Sequence, residues 1–206
     1  MDLLKAWRAG DERAGELLVT RHYAAIERFF VNKAHDHASD LLQRTFLTLV
    51  EVQERIDERR DLRRYLFGIA RNVLLNHVRS VHRDGERLDF GTRSIQDLSP
   101  TPNTLLLESQ RSQRLLEALR RIPLELQIVL ELYYWEDLTA AELSTLLEIP
   151  QGSVRTKIRI AKEKLAREMT RLAPSPNLEP AASNLDSWAR AVREQLVGTK
   201  PGEAGA

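Results

Sequence analysis

The chain has 206 residues, 42% apolar and 30% charged, with a formal net charge of +1, proportions that are typical of a globular protein with one or two small cores. The absence of cysteine excludes disulfide frameworks, thiolate metal sites and cysteine nucleophiles. No apolar run reaches the ~18 residues of a membrane span and the N-terminus lacks a signal-peptide core, so the sequence predicts a soluble cytoplasmic protein.

The first half of the chain shows helical periodicity throughout. Apolar side chains recur at spacings of three and four residues in three segments, and no segment alternates with period two. The positions are Leu17, Leu18, Tyr23, Ile26, Phe29 and Phe30; Leu41, Leu42, Thr45, Phe46, Leu49 and Val50; and Tyr65, Leu66, Ile69, Val73, Leu74 and Val78. The pattern predicts an all-α fold whose first domain is a three- or four-helix bundle over residues 10–82.

Residues 83–103 differ in composition from the segments on either side. Glycines and prolines stand among Asp, Ser and Thr residues there, without sustained periodicity. This composition is typical of a flexible linker between domains. Helical patterning resumes at Thr104, so the second helical domain is predicted over residues 104–171.

The second predicted domain contains the pattern of a helix-turn-helix. A strongly apolar helix over residues 124–135 follows Pro123, a residue that is tolerated in the first turn of a helix. Thr139 and Glu142 have the spacing of a capping box at the start of the next helix. The buried stripe predicted for that helix is Leu138, Leu143, Leu146 and Leu147.

A short break over residues 148–152 precedes the last predicted helix, for which Ser153 is the expected N-cap. Its apolar stripe is Val154, Ile158, Ala161 and Leu165. Seven basic residues oppose two acidic ones between Gln151 and Arg171. A basic second helix after a short turn indicates DNA binding, because one helix fits the major groove. The candidate contacts are Ser153, beside the helix N-terminus, and five residues on the face away from the apolar stripe: Arg155, Thr156, Lys157, Arg159 and Lys162.

Residues 172–206 form a predicted Pro-rich tail. One short amphipathic helix is expected over residues 184–197, with Leu185, Trp188, Val192 and Leu196 on one face. A helix of this length is marginally stable alone in water, so it is expected to dock on this protein or on a partner.

Three motifs, taken together, resemble a known family. Residues 36–46 read DHASDLLQRTF, residues 65–72 read YLFGIARN, and residues 149–154 read IPQGSV. In order and spacing these resemble the extracytoplasmic-function (ECF, group 4) sigma factors of bacterial RNA polymerase, over roughly residues 12–170. Three residues depart from the family pattern, since Arg44, Tyr65 and Glu148 replace its usual glutamate, tryptophan and turn glycine.

The resemblance implies a non-enzymatic transcription initiation factor that binds core RNA polymerase, recognises the −35 and −10 promoter elements and initiates transcription of a specific regulon. The helix over 36–51 would bind the clamp helices of the largest polymerase subunit, and residues 55–61 would capture a flipped base. Residues matching the polymerase-binding motif are Asp36, Asp40, Gln43 and Phe46. Candidate −10 contacts are Arg63, Arg64, Tyr65, Arg71, Asn72, Asn76 and Arg79. The −35 element would be read by the Ser153–Lys162 helix, and an anti-sigma factor is the further partner implied.

Two alternatives remain. A stand-alone helix-turn-helix regulator is disfavoured, because it would normally bind as a dimer or carry a ligand domain, and this layout has two helical domains. An enzyme with a metal near His35, Asp36, His37 and Asp40 is also disfavoured. Residues two apart on a helix point about 200° away from each other, and no metal, phosphate-loop or Gly-x-Ser-x-Gly signature is present. The sequence therefore predicts no cofactor and no metal.

Overall fold

The computed structural model describes residues 3–57, 61–82, 89–98 and 110–172. Its regular elements are helical, which confirms the predicted all-α class, and an isolated bridge pairs Ser94 with Pro123. The chain divides into two compact units at residues 86 and 87. The tail helix predicted over 184–197 lies outside the described residues.

The described part of the first unit contains four α-helices. They are α1 (Leu3–Arg8), α2 (Glu12–Val31), α3 (Ala38–Val52) and α4 (Leu62–Val81), with 3₁₀ turns at His35–His37 and Gln53–Arg55. The side chains of Asp11 and Asp61 accept backbone N–H bonds at the starts of α2 and α4. The buried centre contains Leu18, Phe30, Leu49, Leu66, Phe67 and Leu74. The bundle predicted for the first half is present, and α1 adds a helix before residue 10.

Several apolar side chains of the helical pattern lie at the surface. Leu17 is 58% exposed, Tyr23 40% and Val50 46%, whereas Leu18 and Leu49 are buried. Neighbouring residues on a helix point about 100° apart. In the pairs Leu17–Leu18 and Leu49–Val50 this difference in direction places one member in the core and the other at the surface.

The second unit contains α5 (Ile95–Leu98), α6 (Gln110–Arg121), α7 (Leu124–Tyr134), α8 (Ala140–Leu147) and α9 (Gln151–Arg171). The long helix α9 packs against α6, α7 and α8. Its buried side chains are Val154, Ile158, Ala161, Leu165 and Met169. These include the whole predicted apolar stripe, so the opposite side of α9 faces outward.

Part of the predicted flexible linker folds onto the second unit. Between residues 89 and 98 the buried side chains are Phe90, Ser94, Ile95 and Leu98. The backbone carbonyls of Phe90 and Arg93 accept hydrogen bonds from the N–H groups of Glu125 and Leu124. Those N–H groups belong to the first turn of α7, which has no side-chain cap and would otherwise lack partners. Residues 83–88 and 99–109 lie outside the described residues.

Two helix starts differ from the predicted ones. Pro123 is the N-cap residue of α7 and lies just before its first turn. Helix α9 begins at Gln151, so Ser153 is inside the first turn and is not the N-cap. The residue before α9 is Pro150, whose backbone (φ −55°, ψ 143°) is extended and lets the helix start immediately after it. No side chain caps either helix.

Helix α8 has both ends determined by local chemistry. The Thr139 hydroxyl oxygen accepts the N–H of Glu142 at 3.3 Å, and the Glu142 carboxylate accepts the N–H of Thr139 at 2.8 Å. The predicted capping box is confirmed. At the other end Glu148 adopts the left-handed conformation (φ 56°, ψ 38°) that glycine accepts most easily.

We expect Glu148→Gly to raise the free energy of unfolding by about 1 kcal/mol, because glycine has no Cβ to oppose a positive φ. Chemical denaturation of the full chain measures the change. Glu148→Ala is the matched control, since it removes the same carboxylate but keeps the Cβ. Equal stabilisation by both substitutions would assign the effect to charge and contradict the backbone explanation.

Candidate nucleic-acid interface

The first half of α9 presents an exposed polar face. Ser153, Arg155, Thr156 and Arg159 are exposed, opposite the buried stripe of the helix. The Thr156 hydroxyl donates to the carbonyl of Gly152 at 3.0 Å, and Arg159 lies 2.6 Å from the carboxylate of Glu163 one turn further on. Four of the six predicted contacts are thus exposed on one helix.

The other two basic residues lie on the flanks of α9. The ammonium nitrogen of Lys157 is 2.8 Å from a carboxylate oxygen of Glu125 on α7. The nitrogen of Lys162 lies 5.2 Å from the centroid of the Tyr134 ring. The prediction that all five residues after Ser153 face away from the apolar stripe was therefore wrong for this pair. Both side chains are half-buried, whereas those of Ser153, Arg155, Thr156 and Arg159 are exposed.

A groove of about 500 Å³ lies beside Arg155. The end of α7, the start of α8 and one side of α9 form its walls. Its polar lining includes Tyr133, Tyr134, Asp137, Thr139 and Arg155. The lining thus combines the positive charge of Arg155 with the negative charge of Asp137, beside the capped N-terminus of α8.

In the first unit, α4 has an outward polar row. Residues 65, 72, 76 and 79 return to the same side of a helix because their spacings are seven, four and three. Asn72, Asn76 and Arg79 are exposed and Tyr65 is half-buried. Arg79 donates to the amide oxygen of Asn76 at 3.0 Å. This row contains four of the seven predicted −10 contacts.

The remaining three arginines lie on other sides of α4. The guanidinium of Arg63 is 5.7 Å from the centroid of the Phe67 ring. Burial, followed by the charge of Arg63, lowers the pKa of His22 on α2. Arg64 lies 3.5 Å from the carboxylate of Asp61. Arg71 follows Arg64 by seven residues and so lies on the same side of α4, where it is half-buried. The structure thus separates these arginines from the outward row.

Helix α3 exposes a mixed polar and apolar side. Asp40 and Gln43 are exposed on it, and Asp36 is exposed in the 3₁₀ turn just before the helix. Leu47 and Val50 are 54% and 46% exposed, and they follow Gln43 by four and seven residues. Sequence reasoning did not single out Leu47, although its position outside the buried stripe was the available signal. We call Asp40, Gln43, Leu47 and Val50 the α3 surface.

Phe46 lies at the edge of this side and is half-buried. Its ring stacks on that of Tyr23 from α2, with centroids 6.4 Å apart and planes at 6°. Part of Phe46 is therefore engaged within the unit, and its removal would affect the contact between α2 and α3 as well as the surface.

His37 contacts the side of α4 near the start of α3. Its ring centroid is 4.6 Å from that of His77. Burial, then the neighbouring His37 and Arg44, lower the pKa of His77, while Asp40 opposes the shift. Among the described residues no group of three or more His, Asp or Glu side chains is suited to hold a metal ion. No helix in this described part is long and apolar enough to cross a membrane.

Two family models match the chain, one in each unit. The model of Sigma-70 region 2 matches residues 18–84, which include most of α2 and the whole of α3 and α4. The model of Sigma-70, region 4 matches residues 112–165, which include most of α6 and the whole of α7 and α8. The polar row of α4 and the α3 surface fall in the first match, and the basic face of α9 falls in the second.

Curated relatives resemble the chain over most of its length. The RNA polymerase sigma-H factor of Pseudomonas aeruginosa is 24% identical over 178 residues, covering 81% of this chain and 92% of that protein. The ECF RNA polymerase sigma-E factor of Haemophilus influenzae is 23% identical over 178 residues, covering 81% and 93%. The sigma factor RpoE of Bartonella quintana, solved in complex with the anti-sigma factor NepR, has a TM-score of 0.58 at 18% identity and covers 76% of this chain and 96% of that one. The last similarity shows a shared fold.

Proposed function

This chain belongs to the sigma-70 family as an extracytoplasmic-function RNA polymerase sigma factor, and we propose that its two units recognise separate promoter elements. The protein is a promoter-recognising transcription initiation factor that acts with core RNA polymerase, and it is not an enzyme. We assign region 2 functions to residues 10–82, and region 4 functions to residues 104–171 together with the docked segment 89–98. The stand-alone regulator is disfavoured because a region 2 match accompanies the helix-turn-helix.

The proposed −35 contact is the outward face of α9. Arg155 and Arg159 have the side chain that grips guanine with two hydrogen bonds, and Thr156 can reach a base edge or a phosphate. Ser153 lies in the first turn, where backbone N–H groups favour a phosphate. Lys157 and Lys162 lie on the flanks and are proposed to follow the phosphate backbone.

The pairing of Lys157 with Glu125 limits that contribution. We expect Glu125→Gln to strengthen binding of the full chain to a −35 duplex, because Lys157 is then available to a phosphate. The slope of log binding constant against log salt should steepen by about one unit. Titrations between about 50 and about 200 mM salt measure it.

Glu117→Gln is the matched control for this prediction. The Glu117 carboxylate lies 3.1 Å from Arg121 on α6, and that pair does not involve α9. The control should leave the salt slope unchanged. Identical slopes for Glu125→Gln, Glu117→Gln and the unsubstituted chain would contradict a role for Lys157 at a phosphate.

The proposed −10 contact is the outward row of α4. Asn72, Asn76 and Arg79 carry donors and acceptors suited to base edges and phosphates, and the Tyr65 ring can stack on an unpaired base. Residues 55–61, of which 58–60 lie outside the described residues, are proposed to capture one flipped base. For the other three arginines we propose backbone contacts by Arg64 and Arg71, and a positioning role for Arg63.

The proposed polymerase contact is the α3 surface with Asp36 beside it and Phe46 at its edge. An exposed apolar centre next to polar residues is the arrangement of a protein interface. We propose that it docks on the clamp helices of the largest polymerase subunit. Because the Bartonella quintana RpoE was solved with an anti-sigma factor, a partner of that class is proposed here too. Polymerase and DNA as partners favour a cytoplasmic site of action.

The observation that carries the proposal is the placement of two outward nucleic-acid-type faces, on α4 and α9, in two separate compact units. Transcription in vitro with core RNA polymerase and genomic fragments tests it. We expect core enzyme to initiate at a discrete set of promoters only when the chain is present. No stimulation at any promoter would exclude the proposal, and tight sequence-specific binding by the chain alone as a dimer would favour the regulator.

A further inference from the structure

The short helix α1 ends in an arginine that is bonded to the far end of α3. The Arg8 Nε donates to the carbonyl oxygen of Gln53 at 2.8 Å, and its Nη2 donates to the carbonyl oxygens of both Gln53 and Ile56. These partners are 45 and 48 positions away along the chain. We propose that Arg8 is a positioning residue for −10 recognition, because it holds the backbone that leads into residues 57–61.

The two carbonyls lie at the end of a helix, and that of Gln53 also accepts the backbone N–H of Ile56 at 3.3 Å. Gln53 begins the 3₁₀ turn that finishes α3 and Ile56 follows that turn, and carbonyls at a helix C-terminus carry partial negative charge. The planar guanidinium presents several donors in fixed directions, so one side chain can bind both oxygens. Ile56 is 3% exposed and has extended backbone (φ −73°, ψ 123°), so the chain leaves the helix at this residue. Arg8 therefore fixes both the end of α3 and the exit from it.

Helix α1 is itself held in place by close packing on α2. Leu4 is buried, and the indole of Trp7 lies directly over Gly15. A Cβ built on Gly15 would lie 2.7 Å from the indole nitrogen, closer than real side chains approach. The turn between the helices uses Gly10 at φ +94° and ends at Asp11, which caps α2. The guanidinium of Arg8 is thus supported by a defined backbone.

The consequence for promoter recognition rests on the proposed function, in which residues 55–61 capture a flipped base. Arg8 would act on that base through the main chain at Gln53 and Ile56, without touching DNA. Recognition groups must be held to within about 0.5 Å, and a backbone released at one end loses that accuracy. Asp61, the cap of α4, holds the other end of the segment.

The test compares Arg8→Met with the unsubstituted chain in reconstituted holoenzyme. Single-base substitutions across the −10 element first identify the position at which the unsubstituted holoenzyme discriminates most strongly between bases. We expect Arg8→Met to reduce the discrimination ratio at that position by about tenfold, since charged hydrogen bonds are lost. Core binding and −35 duplex binding should stay unchanged. Arg8→Lys keeps the charge but loses the planar set of guanidinium donors, so its discrimination ratio should be intermediate. Arg13→Met on α2 is the control.

The outcomes separate the inference from the proposed function. Unchanged discrimination in Arg8→Met overturns the inference. Equal loss of core binding and discrimination in Arg8→Met and Arg8→Lys also overturns it, because Arg8 would then only stabilise the fold. Absence of base discrimination at every −10 position in the unsubstituted holoenzyme contradicts the proposed function instead.

Discussion

Leu47→Asp is expected to abolish transcription that depends on core polymerase while the first unit stays folded. Leu47 is 54% exposed, so a carboxylate there is solvated in the isolated chain. When the α3 surface docks on polymerase, the same carboxylate is buried without a partner, which costs about 3–5 kcal/mol. That cost corresponds to binding weaker by at least about 100-fold. Core-binding titrations and thermal unfolding of the same preparation measure the two expectations.

Leu17→Asp is the matched control for this effect. Leu17 is 58% exposed on α2, six residues from Tyr23 and about 120° away from it around the helix. It therefore lies apart from the stacked Tyr23–Phe46 pair that borders the α3 surface. We expect binding of core polymerase close to that of the unsubstituted chain. A similar loss in both variants would mean that any charge on the first unit is harmful, and the α3 surface would lose its assignment.

Local patterns predicted the helices and the capping box of α8 well, because the relevant interactions span three or four residues, but they gave Ser153 wrongly as the N-cap of α9. The capping box of Thr139 and Glu142 is read directly from spacing and is present in the structure. The replacement of the family's turn glycine by Glu148 was also evident from the sequence. The backbone of Glu148 does take the conformation that a glycine would take more easily. Which of two adjacent apolar residues faces the core was not readable. That choice, as at Leu49 and Val50, depends on where the partner helix lies.

Interactions between distant segments account for the other differences. Composition indicated a linker at residues 83–103. The carbonyls of Phe90 and Arg93 nevertheless accept hydrogen bonds from the first turn of α7, about thirty residues further along the chain. The basic run of α9 identified the correct helix, but the pairing of Lys157 with Glu125, 32 positions earlier, was invisible in it. The bonds of Arg8 are of the same kind. Sequence patterns find the element that carries a site, and tertiary partners decide which of its side chains are available.

Arg155→Ala is expected to lower −35-dependent initiation by about 5- to 150-fold, equivalent to about 1–3 kcal/mol for a lost base contact. Arg155 is exposed at the edge of the groove beside α8, on the outward side of α9. Loss of a base contact should also relax the preference at one −35 position. Lys157→Ala should give a smaller loss that is uniform across sequences, because Lys157 lies on the flank and is paired with Glu125. Competition binding of holoenzyme to a set of −35 variants measures both.

Lys164→Ala separates a base contact from general charge. Lys164 is exposed, nine residues after Arg155 and therefore about 180° around the helix from it. Its removal takes away the same unit of charge from α9 but should leave −35 preference unchanged. If Arg155→Ala lowers the affinity equally for all −35 variants and leaves the base preference intact at every position, Arg155 contacts a phosphate and not a base. Unchanged affinity and base preference would mean that Arg155 does not contact DNA. Recognition of the −35 bases would then have to come from Arg159 and Thr156, which share its side of the helix.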